Sequence, residues 1–133
     1  MNKQNKNICI HVCDDNPVAI EKAIKITKDL LNEEGLAAEI ITYEDGNQFT
    51  ERYKERKDEL LILDIDMPGK SGLDILKEFE IHCKNNRVIL LTAYDNLALQ
   101  SLMYGPFQIV RKDLMEIDLE KAIRRFLRIR LKK

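Results

Sequence analysis

Apolar runs and helical patterns alternate five times along this chain. The first run, Ile8-Cys9-Ile10-His11-Val12-Cys13, is short and rich in strand formers, and predicts a first strand. Asn16 then supplies a helix cap and Pro17 fits the first helical position, where a missing N–H costs nothing. Ile20, Ala23, Ile24, Thr27, Leu30 and Leu31 follow at helical spacing, and Gly35 is placed to stop the helix. Residues 38–43 predict a second strand, and residues 47–56 a helix held by Phe49 and Tyr53 four apart. Residues 60–63 form an unbroken apolar third strand, the pattern of a strand covered on both faces. Ser71 and Asp74 have capping-box spacing and open a helix that buries Ile75, Leu76 and Phe79. Residues 88–91 and 107–110 predict the fourth and fifth strands. Between them Asp95 caps a helix carrying Ala98, Leu99, Leu102 and Met103, and a last helix buries Leu119, Ala122, Ile123, Phe126 and Leu127.

A (βα)5 alternation with short connections predicts an α/β fold, a single doubly wound domain around a mostly parallel sheet. Right-handed crossovers then place helices on both faces. Length changes this little: 133 residues are one domain's worth, enough to bury a core without staples. Residues 1–7 are polar, lack an apolar signal core and are expected to be a disordered lead-in, with the folded domain at 8–133. No apolar run approaches a membrane span. The three cysteines, Cys9, Cys13 and Cys83, form no metal-ligand cluster, and a reducing, cytoplasmic setting is expected. Charge is uneven: residues 118–133 carry a net +5 and the remainder −6. That tail reads as a solvated helix face running, from about residue 129, into a linker; a patch for an acidic partner is the competing reading.

In a parallel sheet of this kind the ligand site lies beyond the carboxyl ends of the strands. There the sequence offers Asp14 and Asp15 after the first strand, Asp64 after the third, Thr92 after the fourth, and Lys112 after the fifth. Each alone has an ordinary explanation. Asp14 can be a helix N-terminal acid, Lys112 an edge lysine and Thr92 a strand filler. Together they make a phosphate chemistry. Gathered carboxylates repel and call for a divalent cation, and hard oxygen ligands suit Mg2+. Asp64, after four apolar residues, is placed to act as a nucleophile toward phosphorus, with Lys112 neutralising the transferred group and the Thr92 hydroxyl donating to it.

These residues resemble the response regulator receiver domain of two-component systems. The resemblance rests on Asp14-Asp15, the Asp-x-x-Met-Pro-Gly-x-x-Gly-Leu run from Asp64 to Leu73, Leu91-Thr92-Ala93 and Lys112, and spans residues 8–130. The stretches Val12 to Asp15 and Phe107 to Lys112 look like receivers of regulators with a LytTR-type DNA-binding domain. The resemblance implies a flavodoxin-like sheet of order 2-1-3-4-5. It implies that Asp64 takes a phosphoryl group from a sensor histidine kinase. Asp15, Asp64 and the Asp66 backbone carbonyl would bind Mg2+, and Asp14 would act mainly through water. Lys112 would pair with the phosphoryl group, and Thr92 would move toward it. The switch would reach the face of the fourth helix, fifth strand and fifth helix, through which receivers dimerise or dock on their output. DNA would be met only through a C-terminal domain absent from this sequence; a single-domain regulator is the other reading. Such a protein is a switch, with no catalysis expected beyond its own phosphorylation and dephosphorylation.

Three positions depart from the family pattern. Asp113 stands where proline usually follows the lysine, so a trans peptide or rebuilt turn is expected, with a carboxylate that could weaken Lys112's hold on phosphate. Ile109 replaces the usual aromatic, and Pro106 stiffens the approach to the fifth strand. These motivate an alternative, a receiver-like interaction module that works without phosphorylation. Asp64-Ile65-Asp66 also resembles the haloacid-dehalogenase phosphatases. Their nucleophile strand comes first and their paired acids last, the reverse of this chain, and there is no room for a cap domain.

Overall fold

The computed structural model describes residues 8–79, 87–93 and 108–131. Five strands, β1 (Ile8–Cys13), β2 (Glu39–Tyr43), β3 (Asp58–Asp64), β4 (Val88–Thr92) and β5 (Gln108–Arg111), pair in parallel in the order β2-β1-β3-β4-β5. This is the doubly wound, flavodoxin-like sheet expected from the alternation. The reversal of direction in strand order lies between β1 and β3, which share six register pairs from Ile8↔Asp58 to Cys13↔Leu63. The chain therefore leaves both strands at one rim, with Asp14 and Asp64 side by side.

Each strand sends alternate residues to opposite faces, so the sheet has two cores. Ile8, Ile10, Val12, Leu60, Ile62, Ile89, Leu91 and Val110 face one of them. Helix α1 (Pro17–Glu33) and the C-terminal helix α4 (Met115–Leu131) cover that face. Cys13, Leu61, Leu63, Val88 and Leu90 face the other, beneath α2 (Gly46–Arg52) and α3 (Gly72–Glu78).

The predicted caps at Asn16 and Ser71 are in place. Asn16 Oδ1 accepts from the Val18 amide at 2.9 Å ahead of α1, and Ser71 and Asp74 close a reciprocal capping box on α3. Gly35, with φ +69°, takes the left-handed conformation after α1, where a side chain would be strained. Several details differ from expectation: β3 begins at Asp58, and Phe79, just past the end of α3, is half-buried. Helix α1 buries Ala19, Ala23, Thr27, Leu30 and Leu31, while Ile20 and Ile24 are only half-buried. The small Ala19 and Ala23 let α1 lie close on β1, and Thr27 satisfies its hydroxyl on the Ala23 carbonyl at 2.7 Å. Helix α2 ends at Arg52 rather than 56, because Tyr53 turns out (ψ 131°) to hydrogen-bond Glu59 at 2.6 Å.

The predicted helix from Asp95, Phe107, Pro106, Cys83 and the lead-in 1–7 lie outside the described residues. Among the described residues no helix is long and apolar enough to cross a membrane.

Candidate functional site

Asp14 follows β1 directly and is fully buried; its amide donates to the Tyr43 carbonyl at 3.2 Å, which pins it to the end of β2. Its Oδ1 accepts from the Asn16 amide at 2.9 Å. Asp64 is the last residue of β3 and also fully buried, and its Oδ1 accepts from the Asp66 amide at 3.1 Å. Behind it, Gly72 packs so closely that a Cβ there would stand 2.6 Å from the Asp64 carbonyl oxygen. Any larger residue would push α3 off the end of β3.

Lys112 comes from a short 3-10 turn, Lys112–Leu114, between β5 and α4. Its Nζ donates to Asp64 Oδ2 at 3.1 Å and to Asp14 Oδ1 at 3.1 Å, and lies 2.8 Å from Asp14 Oδ2. One ammonium thus bridges two buried carboxylates drawn from the ends of β1 and β3. Thr92 is fully buried as the last residue of β4, in register with Arg111. Asp15 and Asp66 are exposed.

The electrostatics follow from this crowding. Burial, and then the charge of Asp14, push Asp64 up to about 7, against the opposing pull of Lys112 and the Asp66 amide. Burial opposes the charge on Lys112, but the hydrogen bond to Asp14 and the charges of both carboxylates outweigh it and raise its pKa. Burial, aided by Asp14 and Asp64, pushes the neighbouring Cys13 thiol up to about 12, which leaves it a weak nucleophile.

The donor set fits a divalent cation. One carboxylate oxygen from each of Asp14, Asp15 and Asp64 lies within 4.8 Å of the others. Asp14 Oδ2 is buried and, although Lys112 Nζ lies 2.8 Å away, makes no hydrogen bond, so it keeps capacity to bind a cation. An all-oxygen set of this size suits Mg2+.

The departures noted in the sequence also resolve. The described residues contain no cis peptide bond, so the Lys112–Asp113 bond is trans. Asp113 does not compete for Lys112: it is exposed and accepts two hydrogen bonds from the Arg111 guanidinium, at 3.1 and 2.7 Å. Ile109 is half-buried on β5.

One polar cluster was not expected. His11 and Glu59 sit in apolar strands yet are both buried, with His11 Nε2 3.3 Å from Glu59 Oε1 and Nδ1 2.8 Å from the Tyr43 hydroxyl. Glu59 also accepts from Tyr53 (2.6 Å) and the Arg56 amide (3.0 Å), and Arg87 lies 3.3 Å away. The signal in the sequence was a histidine inside an apolar run; its partner Glu59 lies on the adjacent strand β3, two residues of register away. Burial alone would raise the Glu59 pKa, but these donors hold it below the usual carboxylate value. A depressed pKa contributes stability above the unfolded value and loses it on acidification. Glu59→Gln is therefore expected to cost about 1–2 kcal/mol at pH 7 in urea unfolding, and less toward pH 4. Equal stability at pH 7 would show that the Glu59 charge contributes nothing.

Comparison with known proteins agrees with this geometry. Residues 10–124 match the response regulator receiver domain family. The chain is 34% identical over 76 residues to sporulation initiation phosphotransferase F of Bacillus subtilis, covering 56% of this chain and 60% of that protein. It is 32% identical over 88 residues to the chemotaxis protein CheY of the same organism, covering 66% and 70%. A match to the sensory transduction protein LytT, also of B. subtilis, is 23% identical and covers 89% of this chain but 47% of that protein. Among solved structures, a Thermotoga maritima response regulator in complex with Mg2+-BeF is 31% identical with a TM-score of 0.66, covering 89% of this chain and 97% of that one. Fold, rim chemistry and kinship agree, and the chain belongs to the response regulator receiver domain family of two-component signal transduction.

Proposed function

We propose that Asp64 accepts a phosphoryl group from the phosphohistidine of a sensor histidine kinase, in a Mg2+-dependent transfer that switches an output partner. The observation that carries this reading is the single Lys112 ammonium held between two buried carboxylates at the meeting of three strands. That arrangement stores a cation where negative charge is to arrive. The Thermotoga relative crystallised with Mg2+-BeF supports the same reading.

Each Asp64 oxygen accepts one hydrogen bond and retains a lone pair for attack on phosphorus. A carboxylate oxygen forms the new O–P bond as the donor's N–P bond breaks, and the electron pair leaves with the imidazole. Asp14, Asp15, Asp64 and the Asp66 backbone carbonyl would hold the Mg2+, which when bound supplies positive charge to the phosphoryl oxygens. Lys112 transfers its hydrogen bond from the carboxylate to a phosphoryl oxygen, and the Thr92 hydroxyl donates to another. The product is an acyl phosphate lost slowly to water, so the protein is a switch rather than a turnover catalyst.

Downstream, the altered residue at 109 bears on readout. An aliphatic side chain offers no hydroxyl to couple with Thr92, so the signal passes through packing at the face of the fourth predicted helix, β5 and α4. Homodimerisation or docking through that face, and DNA contact through a further C-terminal domain, complete this reading. The same Ile109 favours a second one, an interaction module that works without phosphorylation.

Incubation with Mg2+ and a small acyl-phosphate donor, followed by intact-mass measurement, separates the two. One phosphoryl group's added mass in the wild type, and none in Asp64→Ala, is expected. No gain in the wild type, or an undiminished gain in the variant, would sink the phosphoacceptor reading.

A further inference from the structure

The segment 65–71 leads from Asp64 at the end of β3 to α3 and contains Asp66, whose backbone carbonyl the proposed function gives to Mg2+. Its near limb is fixed by the Ile65 amide on the Leu91 carbonyl (2.8 Å), the Asp66 amide on Asp64, and Met67 Sδ 3.8 Å from Cys13 Sγ. Pro68 and Gly69 are exposed, and Gly69 has φ +77°. The far limb is held differently, by Lys70. Lys70's backbone lies against the first residue of α2: a Cβ on Gly46 would collide with the Lys70 carbonyl oxygen and stand 2.7 Å from its Cβ. Its Nζ donates to Thr50 Oγ1 of α2 at 2.9 Å and pairs with Glu78 Oε1 of α3 at 2.6 Å. Thr50 in turn donates to the Gly46 carbonyl at 3.0 Å.

One side chain thus ties the loop beyond the site to the two helices that flank it. An exposed ion pair of this kind stabilises little. Its geometric effect is larger, because an oxygen donor set for Mg2+ tolerates little displacement. We propose that Lys70 is a positioning residue for the phosphoacceptor site, latching the 65–71 loop to α2 and α3 so that the Asp66 carbonyl is set for Mg2+. The proposal rests on the reading of Asp64, Asp15 and Asp66 as the metal side of that site.

Charge and positioning make opposite predictions for this residue. Removing a positive charge near a cation site would, by Coulomb's law alone, tighten Mg2+ binding. Losing the latch weakens it. The test is calorimetric titration of the metal-free protein with Mg2+ alone, for wild type, Lys70→Met, Lys70→Arg and, as a control on the exposed side of α3, Lys77→Met. Lys70→Met is expected to weaken Mg2+ about three- to tenfold. Its Tm without metal should stay within about 2 °C of wild type, as for a surface substitution. Lys70→Arg should keep near wild-type affinity, and Lys77→Met should bind equally or slightly more tightly. With an acyl-phosphate donor, Lys70→Met should need more Mg2+ to reach half-maximal rate, with the rate at saturating Mg2+ nearly unchanged. Wild-type or tighter Mg2+ binding by Lys70→Met, or equal weakening in Lys77→Met, would overturn the latch while leaving the phosphoacceptor reading intact. A wild type that binds no Mg2+ would take down both.

Discussion

Replacing Asp64 with asparagine is expected to stabilise the metal-free protein by about 2 kcal/mol at pH 8, although it removes the proposed phosphoacceptor. The native fold holds this carboxyl up to about 7, chiefly through burial and the charge of Asp14. A carboxyl whose folded pKa is raised favours the native state while protonated. That contribution is fully present below its unfolded value and is lost as pH rises toward 7. The full linkage value is about 4 kcal/mol for a shift of this size, and the smaller figure allows for one lost hydrogen bond, since the single amide oxygen cannot accept from both Lys112 and the Asp66 amide. Urea unfolding in chelator should show the gap between variant and wild type closing as pH falls toward 4. Mg2+ should stabilise the wild type and leave the variant unchanged, since ligand binding to the native state alone adds stability by mass action. Equal stabilities at pH 8 would mean that Asp64 is not the strained group its surroundings imply.

The opposite outcome is expected at Lys112. Lys112→Met leaves Asp14 and Asp64 buried and facing each other with their shared cation gone. Breaking a buried pair from one side costs about 3–5 kcal/mol, because the remaining charges stay desolvated. The raised Lys112 pKa means the native state favours the charged lysine, so its contribution persists below the unfolded value, across the neutral range. Acidification or Mg2+ should restore much of the loss in Lys112→Met, each by neutralising a carboxylate. Phosphorylation by an acyl-phosphate donor should fall about 100-fold even at saturating Mg2+, the scale of removing one preorganised charge donor. A variant as stable as wild type in chelator would show that the bridge is not formed in solution.

The architecture was legible because buried parallel strands leave a plain trace: Leu60 to Leu63 and Val88 to Leu91 are continuous apolar runs that an exposed strand could not carry. The rim acids were legible because Asp14 and Asp64 each sit one residue past an apolar run and Asp15 two. What the pattern could not convey was pairing across the sheet. Periodicity ranks Ile20 and Ile24 above Ala19 as core positions, yet the close approach of α1 to β1 reserves the centre for alanine. Nothing local tells Tyr53 to leave a helix, since its partner Glu59 lies beyond the turn. The family pattern set Asp113 against Lys112, while the structure gives it to Arg111, two residues back. In sequence His11 is one more member of an apolar run, because the carboxylate that keeps it there belongs to another strand.

The strand order also bears on how the chain finds its fold. Because β1 lies between β2 and β3, its two ladders join residues 30 apart (Cys9↔Glu39) and 50 apart (Ile8↔Asp58). Loop-closure entropy favours the shorter by only about 0.5 kcal/mol. Burial decides the other way: β3 is buried along nearly its whole length, whereas β2 is half-exposed. The longer closure is thus the better candidate for the folding nucleus. Truncations in β1 and β3 should slow folding, while those in β2 should mainly speed unfolding, as chevron kinetics would reveal. The two strands that bring Asp14 and Asp64 together would then be the first to meet.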